Sequence, residues 1–386
     1  MAGNISLIPT VGMAILGSLF LTFCENVDAR QSESTATQIS ADLLPPPRLA
    51  PDQIAKGWIA LFDGRSLFGW RAESRTNWHV ENGELVADEG ESGLLRTASQ
   101  FDDFELWLEY ASEATTQVFL RTSPKPRGRD AIAIDVAETA GEYRKLRIKV
   151  VVDVLEIAID GSAIDLSSNA IAAVRRGYIG LHFNGKPVRF RKVLLRPIFT
   201  PDDTLSALSA WHASHGIGFT AKTPGNQTIE LTGGPGFLES RKPFANFIFQ
   251  SQCNISMGGN SGVFFRCIPG ENTNGYESQI DNSMTDGDPG RPANGGTGGV
   301  FRRKDARRIV ARDEAWFAKT IVVEGPHVAV WVNGFQVTDW TDKRAPNVNP
   351  RRGLRMQAGS LMLQGHDEHT SVRFREIRVR EIHDRR

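Results

Sequence analysis

Phe104-Glu105-Leu106-Trp107-Leu108-Glu109-Tyr110 carries an apolar residue at every second position, with Glu105 and Glu109 between them. A period of two is the side-chain period of a β-strand, whereas a helical face repeats every 3.6 residues. Leu146-Arg147-Ile148-Lys149-Val150 repeats the alternation. Short runs of this kind, bounded by Gly, Asn, Asp and Pro, fill the chain beyond residue 55, and almost no stretch has a helical period. That is the pattern of β-sandwiches.

The pattern occurs twice. Phe101-Asp102-Asp103-Phe104 matches Phe244-Ala245-Asn246-Phe247, and Val118-Phe119-Leu120-Arg121 matches Val263-Phe264-Phe265-Arg266. Ile157-Ala158-Ile159-Asp160-Gly161 matches Val330-Trp331-Val332-Asn333-Gly334. Asp-Gly and Asn-Gly are strong hairpin signals, because both turn positions need positive φ. Gly180-Leu181-His182-Phe183 with Val188–Val193 matches Leu361-Met362-Leu363-Gln364 with Val372–Ile377. Landmarks in one order predict two tandem β-sandwiches, at 56–198 and 205–384, with the boundary near Phe199-Thr200-Pro201-Asp202-Asp203.

Lys plus Arg equals Asp plus Glu at 45 each, a balance that lacks the basic excess of nucleic-acid or anionic-membrane binders. Ile8–Cys24 is mostly apolar and Val27-Asp28-Ala29 fits a small-residue cleavage site, so residues 1–29 are expected to be a signal peptide, with a retained anchor as the alternative. No Lys or Arg precedes Arg30. The expectation is an exported protein, periplasmic or extracellular, with no stable membrane span after signal removal. Residues 30–55, with Pro45-Pro46-Pro47, are expected to be a flexible linker. Cys253 and Cys267 then remain, either bridged across a hairpin or as two buried thiols.

Gly57-Trp58-Ile59-Ala60-Leu61-Phe62-Asp63-Gly64-Arg65-Ser66-Leu67-Phe68-Gly69-Trp70 resembles the opening of the 3-keto-disaccharide hydrolase domain family, found in bacterial exported proteins, and Trp78-His79-Val80-Glu81-Asn82-Gly83-Glu84-Leu85 continues it. Asn260-Ser261-Gly262-Val263-Phe264-Phe265-Arg266, Gly275-Tyr276-Glu277-Ser278-Gln279-Ile280 and Gln364-Gly365-His366 resemble its later motifs. The resemblance implies a concanavalin A-like jelly roll and cleavage of glycosides whose sugar carries a C3 ketone. A C3 ketone acidifies the C2 hydrogen, so a modest base removes it, the C1 substituent is eliminated, and water adds back.

Strand alternation places Glu277, Gln279 and Asp281 on one face, Phe264 with Arg266, and Gln364 with His366. One polar face then collects the candidate catalytic residues Glu277, His366 and Arg266 with the candidate substrate-binding residues Gln279, Gln364, Asn260 and Asp281. His366 suits C2 proton removal, and Glu277 is the alternative base or the acid for the leaving oxygen. Arg266 suits an enolate oxygen, with an ordinary ion pair to Glu277 across the sheet as the alternative. Glu277 and Asp281 stand about 13 Å apart on a regular strand, too far for the carboxyl pair of a conventional glycosidase, about 5–9.5 Å. The Asn282–Gly299 loop is a candidate lid, and Arg302, Arg303, Lys304, Arg307, Arg308 and Arg312 read as solvated surface. Asp281, Asp286 and Asp288 match no calcium-loop spacing.

The first half keeps the fold markers and loses most of the polar set: Thr115-Thr116-Gln117 replaces Asn260-Ser261-Gly262, Ile132-Ala133-Ile134-Asp135 stands where Glu277 and Gln279 fall, and His182 and Asn184 stand where Gln364 and His366 fall. Val300-Phe301-Arg302 departs from the family's small-apolar-Tyr run. No dinucleotide motif is present, so a separate oxidoreductase would supply the keto sugar. The sequence calls for no cofactor and leaves a divalent metal open. The competing expectation is a non-catalytic carbohydrate-binding or scaffold protein of the same fold.

Overall fold

In the computed structural model, Phe104–Ser112 is a strand whose Phe104, Leu106, Leu108 and Tyr110 side chains are buried in the core. The structure describes residues 49–382 apart from 127–130, 165–173, 215–217, 226 and 272–273. The expected signal peptide and linker residues 30–48 lie outside the described residues. The described end of that linker is packed chain: Leu49 is buried with Ala60 and Leu194, and Pro51–Ala55 is a short helix. Among the described residues no helix is long and apolar enough to cross a membrane.

Two tandem jelly-roll sandwiches follow. In the first, an eight-stranded antiparallel sheet built around Phe104–Ser112 and Val188–Pro197 faces a five-stranded sheet. The five strands lie in the spatial order Trp70–Ala72, Gly93–Thr97, Tyr178–Phe183, Thr116–Thr122, Ile132–Val136. In the second, a seven-stranded sheet faces five strands in the same relative order: Trp211–Ser214, Gly236–Ser240, Ser360–Gly365, Ser261–Cys267, Tyr276–Ile280. The hairpins match as well. Asp160 and Asn333 have φ of 51° and 50°, each followed by a positive-φ glycine, which is the turn that Asp-Gly and Asn-Gly favour.

One repeat match is corrected. Leu181 pairs with Val118, and Leu363 pairs with Val263. Leu181 therefore corresponds to Leu363, one residue later than the apolar match of the two segments, whereas His182 stands in the place of Gln364 as the comparison of polar residues expects. Apolar similarity tolerates a one-residue slip that strand register does not.

The sandwiches are joined by a buried seam. Ile248, Val322, Ala329 and Trp331, on the outer face of the second sandwich's seven-stranded sheet, belong to the first sandwich's apolar cluster. Trp331 Nε1 donates to Ala60 O at 3.0 Å, and Ala60 N donates to Gly334 O at 2.8 Å. Arg380 bridges Asp102 and Asp103 at 2.7 and 2.6 Å. The opening motif thus docks the two halves: Asp63 accepts from Arg65 N and Ser66 N of its own turn and from Arg307 Nη1 of the second sandwich, at 2.8 Å each.

Candidate functional site

The Tyr276–Ile280 strand alternates as its sequence predicts. Tyr276 and Ile280 enter the core of the second sandwich. Glu277 and Gln279 face the other side of the five-stranded sheet. Register places Phe264 beside both Glu277 and Met362, with Met362 beside Glu239; Gly262 pairs with Gln279, and Gln364 with Phe237. The floor is apolar, a cluster of Phe237, Phe264, Met362 and Cys267, with Phe237 and Phe264 edge to face at 5.5 Å.

Glu277 is 7% exposed and accepts no hydrogen bond from any described residue. Its carboxylate lies over Gly262, where a Cβ would come within 2.7 Å of Oε1. Only glycine leaves that space. Burial pushes the Glu277 carboxyl up to about 7, against the opposing pull of Arg351, Lys319 and Arg302. A carboxyl titrating near neutral pH exchanges protons in either direction under physiological conditions.

Polar groups without partners flank it. Gln279 donates from Nε2 to Asn294 O at 3.0 Å, but its buried Oε1 has no partner. Gln364 Oε1 is likewise buried and unpartnered. Neither glutamine lines the cavity beside Glu277, but a buried amide oxygen without a partner is an acceptor that a hydroxyl donor would satisfy. Beside Glu277 lies a cavity of about 210 Å³ lined by Tyr276, Phe301, Arg302, Arg303, Pro350 and Arg351 among others. Arg351 stands 6.0 Å over the Phe264 ring.

Three expected site residues are placed elsewhere. Arg266 adopts φ 50° at a bulge, where the register shifts between Phe264 and Cys267. The bulge breaks the alternation, so Cys267, not Arg266, joins Phe264 on the site floor. The Arg266 side chain is 1% exposed and donates to Ala245 O, Gly325 O, Arg355 O and Asn246 Oδ1. It is neither paired with Glu277 nor directed at the cavity. His366 lies one residue past the end of its strand, exposed, with Nδ1 2.7 Å from Asp367 Oδ2, and it does not line the cavity. Asp281 spends its carboxylate on its own loop, accepting from Ser283 N at 2.9 Å, from Ser283 Oγ, and from Asn294 Nδ2 at 3.0 Å. Asn260 is half-buried just before the Ser261–Cys267 strand, and its backbone N–H donates to Thr370 Oγ1 at 3.3 Å.

The basic run is not uniformly solvated. Arg302 and Arg303 line the cavity. Arg307 lies between Phe68 and Phe335 and ties the sandwiches together through Asp63. The Asn282–Gly299 loop packs down: Thr297 N donates to Asp281 O, and Val300 bridges to Ser278. Cys253 and Cys267 are both free and buried, one in the core and one in the floor. Among the described residues no group of three His, Cys, Asp or Glu side chains is placed to hold a metal.

Lys319 escaped the sequence reading. It is fully buried, donates from Nζ to Gln279 O at 2.8 Å, and burial pushes it down to about 8. The signal was present: Lys319 is in phase with Phe317, Ile321 and Val323, all core residues of one strand.

The matching face of the first sandwich lacks the carboxylate. Phe119 pairs with Ala133 as Phe264 pairs with Glu277, and Gln117 pairs with Asp135 as Gly262 pairs with Gln279. Gln117 Nε2 and Asp135 Oδ1 bond each other at 2.9 Å.

The chain belongs to the 3-keto-alpha-glucoside-1,2-lyase-like domain family, whose profile matches residues 57–137 and 202–380. Membership supports a carbohydrate-related function. No curated protein matches the chain. Among solved structures it is similar to a provisional glycosyl hydrolase from Parabacteroides distasonis, at 16% identity and TM-score 0.39, over 48% of this chain and 99% of that one. It is also similar to a family 66 carbohydrate-binding module from Bacillus subtilis, at 15% identity and TM-score 0.32, over 45% and 96%.

Proposed function

From this family membership and the lone buried carboxylate over Gly262, we propose that the second sandwich cleaves glycosides of 3-keto sugars. Glu277 takes the C2 proton, and the electron pair left on C2 delocalises into the C3 carbonyl as an enolate. The C1–O bond then breaks, the aglycone leaves as its alcohol after protonation, and water adds across C1=C2. The net result is hydrolysis. Gln279 and Gln364 accept from sugar hydroxyls, and Arg351 supplies positive charge toward the enolate oxygen.

The observation that carries this reading is the environment of Glu277: enclosed, without a hydrogen-bond partner, and titrating near neutral pH. A general base of that kind contributes about 10²–10⁴-fold. The chemistry also needs only one such carboxyl at the reacting carbon. Glu239, the other carboxylate in line across the sheet, is three strands away, about 14 Å by strand spacing, and accepts from Ser360 Oγ at 2.6 Å.

The test is incubation of the protein with an aryl 3-keto-glucoside deuterated at C2. Aglycone release with loss of deuterium to solvent, cut at least a hundredfold in Glu277→Gln, is the expected result. Binding without release would instead favour a carbohydrate-binding protein.

A further inference from the structure

The cavity beside Glu277 has an excess of positive charge. Arg302, Arg303 and Arg351 line it, and Glu277 is the one carboxylate among its lining residues. Arg344 nearby is neutralised by Asp342 at 2.7 Å. Arg303 is committed to the scaffold, donating from Nη1 to Arg302 O at 2.9 Å and from Nη2 to Arg351 O at 2.6 Å, so that it ties the two cavity walls together.

Arg302 differs. Its guanidinium makes no hydrogen bond or ion pair with a described residue and rests 5.1 Å from its neighbour's Phe301 ring. It sits in the tight turn closed by Lys304 N donating to Val300 O at 2.9 Å, in left-handed backbone at φ 57°. L side chains disfavour that conformation, so the turn is shaped against a local preference. Its effect is to present five unused guanidinium donors at the cavity wall. A guanidinium fork fits a planar or tetrahedral oxyanion bidentately.

We propose that the glycoside taken by this cavity is anionic, bearing a carboxylate or sulfate that Arg302 binds while Arg351 adds its field. The inference rests on the glycoside-cleaving reading of the same cavity and names its substrate class. The oxyanion offsets the unbalanced cations of the cavity wall.

Titration calorimetry on the full chain with methyl glucuronide, glucose 6-sulfate and neutral methyl glucoside tests it. At least one anionic sugar is expected to bind about tenfold or more tightly than the neutral one, with the advantage shrinking as salt rises. Which probe wins separates carboxylate from sulfate. Arg302→Gln should collapse the anionic-to-neutral ratio toward one, and Arg302→Lys should restore part of it. Equal affinity for all three sugars, or a ratio unchanged in Arg302→Gln, overturns the inference. Neutral 3-keto-glucosides cleaved without any anionic preference would sink this inference and leave the hydrolysis reading standing. Arg302-dependent anion binding without any cleavage of 3-keto-glucosides would do the reverse, and no binding by any of the three sugars overturns this inference alone.

Discussion

Arg121 and Arg266 are the same structural device in the two sandwiches. Each sits at φ near +50°, and each guanidinium is 1% exposed as a residue. Arg121 donates from Nε to Asp102 O, from Nη1 to Val152 O and Val174 O, and from Nη2 to Asp103 Oδ1. Arg266 donates from the same atoms to Ala245 O, Gly325 O, Arg355 O and Asn246 Oδ1. The Asp103-to-Asn246 change removes the countercharge, and burial pushes Arg266 down to about 10. Each arginine gathers three segments, two of which are also joined directly: Val152 N donates to Asp103 Oδ1 and Gly325 N to Asn246 Oδ1, at 2.8 Å each.

Replacing Arg266 with Met leaves those buried acceptors unpaired. A loss of about 3 kcal/mol or more is expected, read as a lower urea midpoint. Near-native stability together with lost glycoside cleavage would place Arg266 in the chemistry after all.

Glu277 gives a pH signature. Its carboxyl is raised in the folded state, so its contribution to stability is fully present below its ordinary value of 4.5 and is lost as pH rises through about 7. Glu277→Gln mimics the protonated form. It should leave the melting temperature unchanged at pH 4 and raise stability by on the order of 2–3 kcal/mol at pH 8. Cleavage by the unmodified protein should rise with pH through the same range if Glu277 is the base. A flat stability difference between pH 4 and pH 8 would mean that the carboxyl is not held in this state.

Gly262→Ala puts a methyl 2.7 Å from Glu277 Oε1. The carboxylate must move while the strand stays paired. The expected outcome is a fall in kcat of about tenfold to a hundredfold, in line with the cost of small misplacements, with an unaltered circular dichroism spectrum. Full activity would show that Glu277 does not need this seat.

Lys319 lowers the Glu277 titration from beneath the sheet. Lys319→Met should therefore shift the Glu277 inflection upward, read from the pH dependence of cleavage. Stability should be close to unchanged or higher, because a buried ammonium that donates to Gln279 O is replaced by an apolar chain of similar length. A downward shift would show that its charge does not act on Glu277.

The class of fold and its duplication were legible in Phe104–Tyr110 and in Asp160-Gly161 and Asn333-Gly334, because strand alternation and hairpin turns depend on neighbours in sequence. The outward placement of Glu277, Gln279 and Gln364 followed from the same short-range rule. Arg266 failed that rule because a bulge inserts one residue, and a bulge is defined by the partner strand. His366 failed it because its strand ends one residue earlier. The tertiary structure alone decided which loops cover the sheet, and so turned Arg302 and Arg303 from a surface charge run into cavity wall. It likewise placed Lys319 under Gln279 and docked Trp331 on Ala60. Each of these pairs groups distant in sequence, and a buried charge or an indole N–H finds its partner only when separate strands close over it.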